Sequence, residues 1–94
     1  MSLLEKPMHP GEVLKELYIE PVGMTAITLA RHIGVPRTRV ERLIKGTTGI
    51  TADTAIRLAR AFKTTPTYWM NMQTNYDMAL IDKKVDVSAI EPVT

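Results

Sequence analysis

Proline, glycine and capping hydroxyls cut this chain into helix-length pieces, and that punctuation constrains the fold more than any other feature. Proline fixes φ and lacks an N–H, so it suits a first helical turn and not a helix interior. Glycine takes the left-handed conformation that closes a helix. Pro7 and Pro10-Gly11 end an irregular arm. Val13, Leu14, Leu17 and Tyr18 then share one helical face, with Glu12 in the first turn, and Pro21 and Gly23 stop the segment. Thr25 caps a second segment, whose buried stripe is Leu29, Ala30 and Ile33 and which Gly34 ends. Pro36 starts a third, with Val40, Leu43 and Ile44 apolar and Gly46 at its end. Thr51, with Asp53 behind it, opens a fourth in which Ala55, Leu58, Ala59 and Phe62 are spaced for burial. Thr65-Pro66 opens a fifth, running through Trp69, Met72, Gln73, Tyr76 and Leu80. The pattern predicts an all-α fold of five helices, joined by connections so short that neighbours must pack on one another.

Ninety-four residues allow one such domain, and the absence of cysteine excludes disulfides and cysteine-based zinc sites. The predicted layout is an N-terminal arm over 1–8, the helical domain over 9–81 and a tail over 82–94. In the tail, Val85, Val87 and Ala89 alternate with Asp86, Ser88 and Ile90 as far as Pro92. That short extended segment pairs across a dimer or with a partner, or it is a frayed terminus.

The net charge of +2 conceals an uneven distribution. Residues 1–30 carry −2, with Glu5, Glu12, Glu16 and Glu20 against Lys6 and Lys15. Residues 64–94 also carry −2. Between them, Arg31, Arg37, Arg39, Arg42, Lys45, Arg57, Arg60 and Lys63 face only Glu41 and Asp53, so residues 31–63 carry +6. A basic centre between acidic ends suits nucleic acid.

The third helix concentrates this charge on one side. At ~100° per residue, with Arg37 at 0°, Glu41 falls near ~40°, Lys45 near ~80°, Thr38 near ~100° and Arg42 near ~140°. Pro36, Val40, Leu43 and Ile44 lie between roughly 240° and 340°, and Arg39 sits at the edge near ~200°. Such a helix docks its apolar face on a core and presents its cationic face outward. In the helix before it, Ala30 is small enough for a close crossing, Gly34 suits a tight turn, and Ile33, Val35, Val40 and Leu43 lock the pair. This spacing over residues 26–45 is that of a helix-turn-helix, whose second helix enters the major groove while the first braces it.

Residues Ala26 to Lys45 resemble the helix-turn-helix of the lambda-repressor/Cro-like, or XRE, family. The flanks narrow the resemblance. His9-Pro10-Gly11-Glu12, Gly49-Ile50-Thr51, the run Thr54 to Phe62, and Trp69 through Gln73 to Tyr76-Asp77 are similar to the HigA-type antitoxins, over roughly residues 8–80. Three positions depart from the family pattern: Ala26 replaces a frequent glutamine, Pro36 stands where a capping Ser or Thr is usual, and Lys63 replaces a common glycine.

The resemblance implies a compact lambda-repressor-like domain that binds double-stranded operator DNA as a homodimer. It implies base reading by Arg37, Thr38 and Arg42, and backbone or orienting roles for Arg31, Arg39, Glu41, Lys45, Thr47 and Thr48. Glu41 either orients Arg37 or Lys45 at i±4, the favoured role being to orient an arginine, or accepts from a cytosine amino group. The resemblance further implies a basic, HigB-type mRNA-cleaving toxin as partner. The acidic Glu5, Glu12, Glu16 and Glu20 then become the expected toxin-facing residues. A stand-alone XRE regulator without a toxin, and an interaction module that no longer binds DNA, are the competing readings.

Other chemistry finds little support. His9 and Glu12 have no second ligand cluster, so no metal or other cofactor is expected, and His9 is better placed as a helix-start residue. No nucleophile–base set or phosphate loop is present, so neither an enzyme nor a small-molecule substrate is expected. The opening Met1-Ser2-Leu3-Leu4-Glu5-Lys6-Pro7 lacks a signal-peptide core, and no apolar run reaches the ~18 residues of a membrane span. A cytoplasmic protein with no membrane partner is expected.

Overall fold

The computed structural model describes residues 7–94, which form five helices and no strand. The first, α1, is continuous over 10–22 but changes type along its length. It is α-helical over Pro10–Val13, π-helical over Leu14–Ile19 and 3-10 over Glu20–Val22. Then follow α2 (Ala26–Ile33), α3 (Arg37–Lys45), α4 (Ala52–Phe62) and α5 (Pro66–Ile81). Helix α2 packs on α3 and α4, α4 packs on α5, and α1 lies against both α3 and α5.

The caps form as the sequence predicts. The His9 ring accepts from the Gly11 N–H at 2.9 Å and starts α1. Thr25 and Thr28 exchange side-chain and backbone bonds in a capping box that opens α2. Thr51 and Thr65 cap α4 and α5 by accepting from the N–H groups of Thr54 and Tyr68. Pro36 is corrected by one position: it occupies the N-cap, in extended conformation and without a side-chain bond, and Arg37 is the first helical residue.

The predicted face of α1 needs a larger correction. Leu14 and Ile19 are buried, whereas Leu17 is 62% exposed. The cause is the π-turn, in which the Glu20 N–H reaches back five residues to the Lys15 carbonyl. Such a turn places residues i and i+5 on one face, so Ile19 takes the inward position and Leu17 swings out. Tyr18 stays half-buried against Phe62 and Trp69, with ring centroids 5.1 Å away in each case.

The core gathers Leu14, Leu29, Val40, Leu43, Ile50, Leu58 and Trp69 from every helix and from the α3–α4 loop. Trp69 is fully buried, and its ring N–H donates to the Thr64 hydroxyl at 2.8 Å. The tail does not form a strand. The Asp86 carboxylate accepts from the Ser88 N–H and the Val87 carbonyl from the Ile90 N–H, so the alternating segment folds into exposed turns. None of the described helices is long and apolar enough to cross a membrane.

Candidate nucleic-acid interface

The α2–turn–α3 unit is held from inside and from both ends. Ala30 and Ile33 on α2 are buried, as are Val40 and Leu43 on α3. Gly34 closes α2 at φ 73°, a value glycine reaches without steric cost. The N–H groups of Gly34 and Val35 then both return to the Ala30 carbonyl. Gly46 ends α3 at φ 78°, and the Thr47 N–H and hydroxyl both donate to the Arg42 carbonyl, at 3.0 and 3.1 Å.

With its inner face fixed, α3 presents Arg37, Thr38, Arg42 and Lys45 to solvent on one arc, as the angular spacing predicts. Glu41 is half-buried among them and forms an ion pair with Arg37, Nε to Oε1 at 3.6 Å. Of the partners open to Glu41 in the sequence, the structure pairs it with Arg37. Arg31, Thr47 and Thr48 are also exposed, and Thr48 lines a crevice with Thr38 and Arg42. Arg39, at the edge of the arc, donates from its guanidinium to the Asp53 carboxylate, Nη1 to Oδ2 at 2.5 Å.

Asp53 and Arg57 were not assigned from sequence, although their i,i+4 spacing on α4 is a recognisable pairing signal. Arg57 Nε donates to Asp53 at 3.0 Å, and Arg57 Nη1 donates to the carbonyls of Ile33 and Gly34 at 2.7 and 3.4 Å. One side chain of α4 thus ties the helix-turn-helix turn to Asp53, which in turn holds α3. The two guanidinium groups, Arg39 foremost, keep the Asp53 carboxyl below its ordinary value, so it is charged at neutral pH.

The sequence signatures at the two ends of the domain converge on the far end of α3. A Cβ on Gly11 would overlap the Leu43 carbonyl, so α1 and α3 cross at a distance only glycine allows. His9 stacks edge-on against Tyr76, ring centroids 4.8 Å apart, and its ring borders Gly46. Gly49 abuts the Gln73 amide, Gln73 Oε1 accepts from the Ile50 N–H at 2.6 Å, and Gln73 Nε2 donates to Asp77 at 2.8 Å. Asp77 therefore orients the glutamine that pins the α3–α4 loop.

Of the residues expected to face a toxin, Glu12, Glu16 and Glu20 are exposed on α1, and Glu5 lies outside the described residues.

The helix-turn-helix family matches residues 14–69 of this chain. Antitoxin HigA-1 of Vibrio cholerae is 42% identical over 73 residues, covering 78% of this chain and 69% of that protein. An addiction module antidote protein of the HigA family from Coxiella burnetii superposes with a TM-score of 0.85 at 40% identity, covering 95% of this chain and 99% of the other. Pseudomonas aeruginosa antitoxin HigA, solved with the higBA promoter, superposes with a TM-score of 0.83 at 34% identity, covering 95% of this chain and all of that one. With the helix-turn-helix in place and both flanking signatures serving to fix α3, the chain belongs to the XRE-type helix-turn-helix family, in its HigA antitoxin branch.

Proposed function

We propose that this protein is a sequence-specific DNA-binding antitoxin that represses its own operon and neutralises a HigB-type mRNA-cleaving toxin. The observation that carries the DNA half is the exposed arc of Arg37, Thr38, Arg42 and Lys45 on a helix whose opposite face is immobilised. Arg37 and Arg42 suit bidentate pairing with guanine, each worth about 1–3 kcal/mol of discrimination. Lys45, Thr47, Thr48 and Arg31 reach phosphates, which makes affinity fall steeply with salt.

One such unit reads half an operator. A twofold dimer places two copies of α3 about 34 Å apart on a palindrome. Met78, Leu80 and Ile81 leave apolar surface exposed at the end of α5, which suits that contact. The acidic and apolar outer side of α1, with Glu12, Glu16, Glu20 and the exposed Leu17, suits a basic toxin.

Binding to a duplex from its own promoter, with Arg37→Ala and Arg42→Ala as variants, tests the DNA half. Each variant is expected to weaken operator binding and relax preference at one base pair, and a wild-type protein that ignores sequence would sink the reading. Co-expression with the neighbouring gene product tests the antitoxin half. Growth rescue with co-purification supports it, and operator binding without either leaves a stand-alone regulator.

A further inference from the structure

Asp53 lies outside the reading arc, yet it determines what one arginine at the edge of that arc is free to do. Its Oδ2 accepts from Arg39 Nη1 and from Arg57 Nε, and Arg57 is itself anchored to the Ile33 and Gly34 carbonyls. The carboxylate is therefore set in place by the helix-turn-helix turn. Arg39 lines a crevice of about 350 Å³ together with Thr38, Arg42 and Thr48, so the guanidinium sits beside base-reading and phosphate-facing residues.

A free arginine at that edge would find phosphate on any duplex. Phosphate contacts raise affinity without carrying sequence information, and each one released to the backbone steepens the salt dependence. The charge-assisted bond to Asp53 takes one Nη1 donor of Arg39, holds the guanidinium toward α4 and offsets its charge. The negative charge of Asp53 adds repulsion toward every duplex alike.

We propose that Asp53 is a specificity-determining residue: it withholds Arg39 from the phosphate backbone, so that a larger share of DNA affinity comes from base-reading contacts. This rests on the DNA-binding reading above. Arg39 thereby belongs to the restraint and not to the phosphate contacts.

The test compares wild type with Asp53→Asn and Asp53→Ser by fluorescence anisotropy, on the promoter duplex and on a duplex of shuffled sequence, across a range of salt concentrations. Both variants are expected to bind the shuffled duplex severalfold more tightly. They are expected to steepen the log–log salt slope by about 0.9, the value for one more phosphate neutralised, and to lower the ratio of promoter to shuffled affinity. Adding Arg39→Ala to Asp53→Asn is expected to abolish the gain in slope, and Asp53→Glu to retain the wild-type ratio. Thermal melts of each variant establish that it is folded. A folded variant with the wild-type slope and ratio overturns the proposal, as does equal weakening on both duplexes, which is the signature of a structural role. Wild-type protein that binds both duplexes equally overturns the DNA reading and this proposal with it, whereas wild-type discrimination with unchanged variants overturns this proposal alone.

Discussion

The side-chain amide of Gln73 accepts a hydrogen bond from the backbone N–H of Ile50, 2.6 Å away and 23 residues earlier in the chain. Both groups are buried, so the bond satisfies a donor that solvent does not reach. Gln73→Leu keeps the bulk and removes the acceptor. The expected cost is about 1–3 kcal/mol, the desolvation penalty of an orphaned donor. Chemical denaturation measures the loss, and hydrogen exchange at Ile50 should quicken more than exchange in the α2 core. Gln73→Glu retains an acceptor but sets a second carboxylate beside Asp77, and it should be destabilising as well.

Gly11→Ala should be among the most damaging single-methyl changes in the protein. The added Cβ meets backbone, the Leu43 carbonyl, which has no rotamer through which to yield. Overpacking of this kind costs about 1–3 kcal/mol or more. Because the displaced backbone belongs to α3, operator affinity should fall together with melting temperature. A variant with wild-type melting would disprove the close crossing.

Lys63 is the one non-glycine residue with positive φ among the described residues, at 56°, and it closes α4. A left-handed conformation costs an L-residue about 1–2 kcal/mol, and glycine relieves it while adding freedom to the unfolded chain. Lys63→Gly is expected to stabilise the protein by ~0.5–1 kcal/mol, a rise of a few degrees in Tm by calorimetry. An unchanged or lowered Tm would count against strain at this cap.

Glu41 is paired with Arg37, and neutralising it should release that arginine. Oligonucleotide selection with Glu41→Gln is expected to loosen preference at the base pair proposed for Arg37 and to leave the one proposed for Arg42 unaltered. An identical selected sequence would show that the pair plays no part in reading.

The Asp53 bridge should fail in acid. Its carboxyl is held below the ordinary value of 3.8, chiefly by the bond from Arg39 and then by that from Arg57. A depressed folded-state value gives a contribution that is fully present above the unfolded value and is lost as pH falls through the folded one. The group is exposed, so solvent screening keeps this contribution small. The stability difference between wild type and Asp53→Asn is therefore expected to be largest near neutrality and to shrink below about pH 4. Denaturation curves over that interval measure it, and a difference independent of pH would mean the bridge does not form in solution.

What could be read from sequence was mostly local chemistry. The caps at Thr25, Thr51 and Thr65, and the glycine closures at Gly34 and Gly46, follow from backbone groups within a few residues of each signal. The cationic arc of α3 follows from helical spacing alone. Contacts across the fold were not legible. Arg39 meets Asp53 14 positions away and Arg57 meets Ile33 24 positions away, and no periodicity reports such a pair. Arg39 consequently read as free charge. Asp77 was visible as a signature residue, and its i,i+4 relation to Gln73 was available, but its purpose depends on the Ile50 amide beyond. Leu17 was misplaced because a helical wheel assumes one constant turn angle.

The π-turn in α1 also bears on which insertions and deletions the chain tolerates. In an α-helix, losing one residue rotates everything beyond it by roughly 100° and carries the apolar stripe off the core. Here Leu14 and Ile19 are both buried five positions apart. Losing one residue between them brings the pair to i,i+4, the spacing at which an α-helix also points both side chains the same way. The first helix thus holds a removable residue at the stretch that carries Glu16 and the outward Leu17. Relatives one residue shorter at this place can keep the same core while showing a different outer surface to whatever binds there.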